Sequence, residues 1–541
     1  MNAPERIDAT TFPFTWDLPY RANRQPVLAR NVVSTSTPLA AQAGLRMMLK
    51  GGSAIDAALA AAIALTVTEP CSNGLGSDLF CILWDPKTKK LHGLNASGRS
   101  PKAWSPSRFA GMKDMPRTGW DTVTIPGCVS AWSALSKRFG KLPFADLFAP
   151  GIDYARRGYH VSPIVATKWE AAVPIFEKVD GWADHFMPHG RAMKTGEVWR
   201  SEAMARTMEK IAESHGESFY RGELAEKMVA HAQRLGGAHT LDDFGAAQCD
   251  WVEPISIDYR GSTVHEIPPN GQGIAALMAL GIIENFDLES MAPDSPECLH
   301  LQIEAMKLAF ADAYRYVADP AAMEVTPEQL LNKDYLRERS KLIDRKRSTK
   351  FEHGMPPPGG TIYLTAADES GMMVSLIQSN YQGFGSGIVV PGTGISLQNR
   401  GSGFTLQPGH PNEVGPSKRP FHTIIPAFMT KDGEPSLAFG IMGGAMQPQA
   451  HLQTMVRLID YGQNPQACLD APRWRVDPGH LLDIESAAAP ETREGLADLG
   501  HDLMPMYDTY MDFGAGQFAY RIDGGYVAAS DWRRDGEAVG Y

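Results

Sequence analysis

The sequence has few cysteines, no excess of basic residues and no long apolar run, and each absence excludes a class of protein. Its 541 residues include six scattered cysteines with no CxxC pair, which indicates reduced, mostly buried thiols rather than a disulfide framework. The formal net charge of −11 disfavours a nucleic-acid partner. The most apolar segment, residues 54–67, is shorter than the roughly 20 residues of a membrane span. Because the N-terminus shows no basic start followed by an apolar run, we expect a soluble, cytoplasmic protein without a membrane partner.

Signatures of several enzyme classes are also missing. His185 and His189 have the i,i+4 spacing of metal ligands, but Pro188 lies between them and no HExxH occurs. There is no Gly-x-Ser-x-Gly nucleophile elbow. The glycines of residues 383–387 lack the GxGxxG spacing of a dinucleotide site. We therefore expect no metal and no other cofactor.

Helical and strand-like stretches alternate along the chain, and one boundary is clearer than the rest. Residues 128–344 are predicted to be mostly helical. Residues 355–360, a Pro/Gly-rich stretch, are typical of an unpaired linker. Immediately afterwards, residues 361–365 and 372–378 predict the two strands of a hairpin. The linker therefore opens directly into a strand that begins with Thr361.

A threonine at such a boundary can act as a nucleophile if the chain is cut before it. Its hydroxyl is a poor nucleophile alone, but a free α-amine on the same residue supplies the necessary base. The hydroxyl can release that amine by attacking the preceding carbonyl, and Gly360 tolerates the strained backbone that this requires. Threonine is also stiff at χ1, which holds the hydroxyl in one direction. Local sequence alone leaves open the alternative that Thr361 simply begins a strand.

Seven blocks along the chain together resemble the γ-glutamyltransferases, in order and spacing. They are GGSAIDAA (51–58), GLGSD (74–78), IEAM (303–306), TIY (361–363), GFGSGIV (383–389), GPSKRP (415–420) and GIMGG (440–444). A serine follows the fourth block at position 379, and the chain ends in further matching residues, ASD (529–531) and GY (540–541). The resemblance covers nearly the whole chain after about residue 26.

The resemblance implies a fold and a cleavage. The expected fold class is α+β, the αββα sandwich of the N-terminal-nucleophile (Ntn) hydrolases, with a largely helical extension in the large subunit. Residues 1–360 would form that large subunit and residues 361–541 a small one, both from one precursor, and two such pairs could form a dimer. Cleavage would fall between Gly360 and Thr361.

The resemblance also assigns catalytic roles. Thr361 corresponds to the nucleophile, and Ser379 to a second hydroxyl that bonds it. Gly443 and Gly444 correspond to the oxyanion hole, whose backbone donors are each worth on the order of 3 kcal/mol.

The residues that would bind a γ-glutamyl group depart from the family pattern. His422 and Thr423 stand where the family has paired serines, and Gly403 replaces an acidic residue. Arg400 occupies a position that is uncharged or acidic in many relatives. A guanidinium in place of a carboxylate repels an α-ammonium and favours an extra anionic group. We expect the following side chains to contact the substrate: Arg99, Tyr381, Arg400, His422 and Thr423.

These departures predict the divergent amidohydrolase branch of the family, whose members act on oxamate or on glutaryl β-lactams. The predicted reaction is hydrolysis of a small carboxylate-bearing amide through an ester on Thr361. A stretch between Phe404 and Lys418 that is shorter than the family's lid loop favours water as the acceptor. Two alternatives stay open: γ-glutamyl transfer or glutathione hydrolysis proper, and an unprocessed relative without catalysis. The sequence leaves the natural acyl group and the acceptor undetermined.

Overall fold

The computed structural model describes residues 13–20, 24–351, 360–505 and 513–541. The strands, in chain order, are β1 Val27–Ala29, β2 Val32–Thr35, β3 Asp78–Asp85, β4 Lys90–Ala96, β5 Tyr159–His160, β6 Val198–Trp199, β7 Asp250–Val252, β8 Ile255–Tyr259, β9 Ser262–Glu266, β10 Gly360–Ala367, β11 Met373–Tyr381, β12 Val389–Val390, β13 Ile395–Ser396, β14 Ala427–Lys431, β15 Glu434–Met442, β16 Trp474–Val476, β17 Leu481–Ile484, β18 Asp502–Leu503, β19 Ala515–Ile522, β20 Gly525–Ser530 and β21 Glu537–Gly540. The helices are α1 Pro38–Leu49, α2 Ala54–Thr68, α3 Cys128–Phe139, α4 Ala149–Arg157, α5 Pro163–Phe176, α6 Trp182–Phe186, α7 Glu202–Glu213, α8 Glu217–Arg221, α9 Glu223–Arg234, α10 Leu241–Gly245, α11 Gly273–Ile283, α12 Pro296–Tyr316, α13 Pro327–Leu330, α14 Lys333–Ser340, α15 Met446–Ile459, α16 Pro465–Asp470 and α17 Pro490–Asp498.

Two seven-stranded sheets form the centre of the molecule. One has the order β1-β20-β19-β15-β14-β9-β8 and the other the order β21-β2-β10-β11-β3-β4-β7. Neighbouring strands within both sheets pair antiparallel. The described residues of β10 and all of β11 are buried, because the strands are covered on both faces. Such double burial explains why these strands are apolar along most of their length rather than alternating.

The two sheets pack face to face between two layers of helices. Apolar side chains such as Phe80, Tyr363, Ile377 and Phe428 fill the space between the sheets. Helices α1 and α2 cover the outer face of the sheet that contains β10, and α11 and α15 cover the outer face of the other sheet. This order of layers is the αββα sandwich that the sequence analysis expected.

Helix α2 shows how local sequence forms the outer layer. Ser53 and Asp56 cap its first turn reciprocally, since the Ser53 amide donates to the Asp56 carboxylate at 2.8 Å. The alanine-rich body lets α1 approach closely: a Cβ added to Gly44 would lie 2.8 Å from the Ala57 carbonyl oxygen. The short side chains of α2 therefore let the two helices of this layer pack tightly against each other.

The region 128–344 is mostly helical, as the sequence predicts, and contains helices α3 to α14. Within the described ranges, no helix combines the length and the apolarity needed to cross a bilayer. The predicted boundary at Thr361 stays a prediction, because residues 352–359 lie outside the described residues. Both central sheets nevertheless combine strands from before and after that point, so two chains cut there would still share both sheets.

Candidate active site

Thr361 lies at the start of β10, where the pairing with β11 is irregular. Gly360 pairs with Tyr381 and Ile362 with Gln378, so the register shifts at the residue between them. Such bulges re-aim a side chain and are frequent beside active sites. The Thr361 side chain is buried, and its Oγ1 lies 3.2 Å from the Ser379 Oγ. The bulge thus turns the threonine hydroxyl toward a second hydroxyl on the neighbouring strand.

The Ser379 hydroxyl is itself held in place. The Tyr381 amide donates to the Ser379 Oγ at 2.8 Å, which occupies one of its acceptor positions. Tyr381 has a φ of +77°, an uncommon value for a residue with a side chain. Backbone strain of this kind is concentrated at functional sites, where the surrounding structure enforces it. The two predicted catalytic hydroxyls are therefore brought together and oriented by the end of β11.

Gly443 and Gly444 form a turn between β15 and α15. Their φ values of +130° and +61° explain why both positions are glycine. Their carbonyls accept from the amides of Met446 at 3.1 Å and Gln447 at 3.2 Å, in the first turn of α15. Because C=O and N–H of a trans peptide point in opposite directions, the Gly444 amide points away from the helix. A backbone donor with that direction is what an oxyanion hole requires.

The glycine turn and Thr361 lie at the same end of the sandwich. Gly440 in β15 packs on Tyr363 so closely that an added Cβ would lie 2.4 Å from the ring. Tyr526, the second residue of β20, donates its hydroxyl to the carbonyl of Asp368, which directly follows the far end of β10. Strands β15 and β20 are parallel, since each pairs antiparallel with β19. They therefore run opposite to β10, and the end of β15 meets the beginning of β10.

Arg400 is fully buried beside these groups. Its Cζ lies 4.2 Å from the centre of the Tyr381 ring, and its Nη1 donates to the Thr423 hydroxyl at 2.9 Å. Its Nε is 3.8 Å from an Asp78 oxygen, beyond hydrogen-bond distance. Within the described chain, Nε and Nη2 have no hydrogen-bond partner. These two atoms form one edge of the guanidinium, the geometry that pairs with a carboxylate through parallel hydrogen bonds.

Asp78 and His422 accompany this arginine. His422 donates from Nε2 to Asp78 at 3.0 Å and stacks on Phe80, with ring centres 4.6 Å apart. Burial, and then the nearby Arg400, holds the pKa of His422 well below its usual range, so the imidazole is neutral. Burial raises the pKa of Asp78 to about 7 although Arg400 opposes the shift. Burial likewise lowers the pKa of the Arg400 guanidinium to about 10, so it stays charged at neutral pH.

Arg99 has other partners. Its Nη1 lies 2.9 Å from Asp319 and 3.1 Å from the Ser417 carbonyl oxygen, and its side chain is 46% exposed. The contacts that connect the other predicted residues do not pass through it. Its predicted role in binding a substrate stays a prediction.

Sequence reasoning missed two buried residues that touch the site. Asp78 ends a block on which the family resemblance rests, but its carboxylate showed no pattern of its own. Gln272 donates from one amide nitrogen to the carbonyls of Thr423 at 2.7 Å and Gly444 at 2.8 Å. A turn-forming Pro-Asn-Gly precedes Gln272, and this signal predicts a loop but no function. A continuous series of contacts thus connects seven residues, from the nucleophile candidate to the glycine turn: Thr361, Ser379, Tyr381, Arg400, Thr423, Gln272 and Gly444.

A cavity of about 650 Å³ opens beside Tyr381, next to Gln382. Residues 402–410 and 412 form one wall, which includes most of the short loop that follows Phe404. That loop is pinned to α12, since the His410 ring nitrogen Nε2 lies 3.1 Å from the Tyr314 carbonyl oxygen. The other lining residues include apolar side chains, two arginines and one carboxylate, beside the polar Gln382 and Tyr314; they are Met115, Val317, Phe421, Arg117, Arg315 and Asp114. The cavity can accept a partly apolar group that carries negative charge.

A second buried cluster contains side chains of the kind that bind metals. His300, Glu304 and His501 converge, with His300 Nδ1 2.8 Å from His501 Nε2. The Lys307 ammonium, however, lies 2.7 Å from a Glu304 oxygen and supplies the cation that this carboxylate pairs with. The His300 Nε2 also donates to the Asp344 carbonyl at 2.8 Å. We interpret the cluster as a hydrogen-bonded network that anchors the segment after α14.

Comparison with known proteins agrees with this geometry. The family model described as Gamma-glutamyltranspeptidase matches residues 40–541. The chain is 36% identical to a glutathione hydrolase-like YwrD proenzyme of Bacillus subtilis (strain 168), over 96% of this chain and 100% of that protein. It is 33% identical to an oxamate amidohydrolase proenzyme of Klebsiella pneumoniae, over 93% of this chain and 97% of that one. The crystal structure of a cephalosporin acylase from Bacillus halodurans superposes with a TM-score of 0.92 at 47% identity, covering 97% of this chain and 98% of that chain.

The chain therefore belongs to the γ-glutamyltranspeptidase family. It is an Ntn hydrolase of that family, which hydrolyses amide bonds and is synthesised as a proenzyme. The fold class and the family resemblance that the sequence analysis stated are both confirmed.

Proposed function

We propose that Thr361 is the nucleophile of a self-cleaving amidohydrolase that acts on small amides carrying a carboxylate. The observation that supports this most directly is the buried pair of hydroxyls, Thr361 Oγ1 and Ser379 Oγ, 3.2 Å apart at the start of a central strand. Gly360 directly precedes the nucleophile, and glycine tolerates the strained backbone that attack on its carbonyl imposes.

The first reaction is the cleavage itself. The Thr361 Oγ1 attacks the Gly360 carbonyl carbon, and the peptide C–N bond breaks as the nitrogen takes up the hydroxyl proton. The product is an ester between Gly360 and the Thr361 oxygen. Water hydrolyses that ester, which leaves a carboxylate on Gly360 and restores the hydroxyl beside a free α-amine.

The second reaction is hydrolysis of the substrate. The Thr361 amine accepts the hydroxyl proton while Oγ1 attacks the substrate carbonyl, and the Gly443–Gly444 turn donates to the oxyanion. The proton passes to the leaving amine as the amide C–N bond breaks. Water then attacks the ester and releases the acid. Ser379 supports both reactions by holding Oγ1 in the attacking direction.

Arg400 supports the carboxylate-bearing class of substrate. Its free edge, Nε and Nη2, matches a carboxylate in geometry and charge, and burial strengthens that interaction. Thr423 contacts the same guanidinium and Tyr381 stacks on it, so both hold the arginine in place. An α-ammonium has no corresponding carboxylate at position 403, which is glycine. A relative is named oxamate amidohydrolase, and oxamate is a small amide with one carboxylate.

The remaining parts of the proposal concern the leaving group, the subunits and the location. The cavity beside Tyr381 is the proposed place for the leaving amine, and its open side admits water. Residues 1–360 and 361–541 are the proposed subunits, which stay associated because both central sheets contain strands of each. Two such pairs form the proposed dimer. The six cysteines are all free, which supports a cytoplasmic location.

A substrate panel tests the proposal. The cleaved protein is assayed with oxamate, glutaryl-p-nitroanilide and γ-glutamyl-p-nitroanilide, the last with and without glycylglycine. We expect hydrolysis of at least one of the first two and a much lower rate on the γ-glutamyl compound. A preference for the γ-glutamyl compound, stimulated by glycylglycine, would assign transferase activity instead. Cleaved protein that is inactive on all three would refute the proposed substrate class.

A further inference from the structure

A fully buried glutamine connects the glycine turn to the opposite wall of the site. The Gln272 side-chain nitrogen donates to the Thr423 carbonyl at 2.7 Å and to the Gly444 carbonyl at 2.8 Å. Its backbone amide donates to the His422 carbonyl at 2.9 Å. One residue therefore bridges the segment that contacts Arg400 and the turn that faces the nucleophile.

A second glutamine completes the connection. The Gly444 carbonyl also accepts from the Gln447 amide at 3.2 Å, and the Gln447 Oε1 accepts from the Ile425 amide at 3.0 Å. The peptide after Gly444 is thus held by two donors at once. Since consecutive glycines are the most flexible positions of a chain, a fixed orientation of this turn depends on such bonds.

We propose that Gln272 is a positioning residue that sets the direction of the oxyanion donors on the Gly443–Gly444 turn. Bonding of the Gly444 carbonyl fixes the plane of the peptide after Gly444, while the Gly443 carbonyl, bonded by the Met446 amide at 3.1 Å, fixes the plane before it. With both planes held, Gly444 cannot rotate and its own amide keeps one direction. Donors that are oriented before the reaction cost no reorganisation when the oxyanion forms. This inference rests on the proposed function, because the turn has an oxyanion to stabilise only if Thr361 is the nucleophile.

The chemistry of the side chain argues against a purely structural role. Two hydrogens on one nitrogen serve two carbonyls, which neither an aliphatic side chain nor an ionised carboxylate can do. The Gln272 Oε1, in contrast, has no hydrogen-bond partner within the described residues although it is buried. An unpaired buried acceptor costs stability, so a residue retained for stability alone would not leave one.

Gln272 and the two carbonyls that it bonds lie on opposite sides of the proposed cleavage site. It belongs to the segment before Thr361, and both carbonyls that it bridges belong to the segment after it. The large subunit would therefore contribute to the oxyanion site without touching the substrate. The small subunit alone would have an incompletely held turn.

Two substitutions of Gln272 and one matched control test the proposal. Gln272→Met keeps the size but removes both donors, and Gln272→Glu keeps one donor while its carboxyl is protonated. The control is Gln453→Met, because Gln453 is another buried glutamine that bonds two carbonyls, those of Gln449 at 3.1 Å and Trp474 at 3.0 Å. Full-length chains are synthesised in a cell-free system to time the self-cleavage. Values of kcat and KM per cleaved chain are measured with glutaryl-p-nitroanilide, and melting temperatures are recorded.

We expect Gln272→Met to lower kcat about 100-fold with KM changed by less than about threefold, as for a misplaced catalytic group. Gln453→Met should keep kcat within about threefold. Gln272→Glu should regain activity toward low pH, where its buried carboxyl is neutral and donates one bond. The positioning role is also supported if neither Gln272 variant is cleaved but Gln453→Met is. This outcome counts only if the melting temperatures of the three variants agree within a few degrees.

A kcat for Gln272→Met within threefold of the control, or a loss confined to KM, would overturn the inference. Failure of the proposed function itself is seen separately, because a Thr361→Ala chain would then still be cleaved or active.

Discussion

The buried edge of Arg400 allows a quantitative prediction about the substrate carboxylate. The edge offers two donors, and a hydrogen bond to a charged group contributes about 1.5–3 kcal/mol. The Asp78 carboxylate, whose nearest oxygen lies 3.8 Å from Nε, also attracts the Arg400 guanidinium and reduces the free energy gained from the substrate carboxylate. We therefore expect a net contribution of about 3 kcal/mol, or about 150-fold in kcat/KM.

The perturbation is Arg400→Met, combined with a change in the substrate. Each enzyme is assayed on an anilide that bears a free carboxylate and on the methyl ester of the same compound, and the ratio of the two kcat/KM values is compared. Wild-type protein should prefer the acid about 150-fold more strongly than the variant does. Self-cleavage should proceed in Arg400→Met at close to the wild-type rate, because the Gly360 carbonyl bears no carboxylate for the arginine to bind.

Removal of the buried Arg400 charge also affects Asp78, and a second variant separates the two effects. Without Arg400, the Asp78 carboxyl is left in an apolar environment and takes up a proton. The double variant Asp78→Asn/Arg400→Met has no such group and should show the same lost preference. An unchanged acid-to-ester ratio in both variants would refute the assignment of Arg400 to the substrate carboxylate.

Two further predictions concern the glycine turn and the pH dependence. Gly443→Ala should give an uncleaved or inactive chain with a lower melting temperature, because φ of +130° disfavours a side chain and the Cβ would lie 2.9 Å from the Gly514 Cα. The control Gly190→Ala, at a positive φ with open space around it, should lose only about 1 kcal/mol of unfolding free energy, measured by chemical denaturation. Equal effects of the two substitutions would contradict this prediction. Asp78 has a pKa raised from 3.8 to about 7, so the folded state favours its protonated form: its contribution to stability is fully present below pH 4 and is lost as the pH rises toward 7. A substrate carboxylate bound to Arg400 also favours the protonated form of Asp78, so KM should rise as the pH rises through about 7. The same dependence of KM on pH in wild type and Asp78→Asn would contradict this.

Much of the fold could be predicted from the sequence because its elements carry strong local signals. A serine followed three positions later by an acidic residue is a signal for the start of a helix, and Ser53 and Asp56 form that capping box at the start of α2. The hairpin predicted after Thr361 corresponds to β10 and β11, which pair antiparallel. The αββα sandwich followed only from the family resemblance, and the order of strands in the two sheets was not predicted, since strand pairing depends on contacts between distant parts of the chain.

The site was predictable where chemistry coincides with a recognisable motif. Thr361 and Ser379 were named from the sequence, and the structure places their hydroxyls 3.2 Å apart. Gln272 was missed because its function depends on two backbone carbonyls 151 and 172 residues away. Backbone acceptors have no sequence signature, and a single glutamine in a turn resembles many others. Asp78 was missed for a related reason: its raised pKa is a consequence of burial, which only the fold creates.

Thr361 must cleave its own chain before it can serve as the nucleophile, and intact mass measurement detects that cleavage. Purified wild-type protein, Thr361→Ala and Thr361→Ser are compared under denaturing conditions. We expect fragments of 360 and 181 residues for wild type, the same fragments for Thr361→Ser, and a single chain of 541 residues for Thr361→Ala. A wild-type chain that stays whole, or a Thr361→Ala chain that is cut at the same bond, would contradict this.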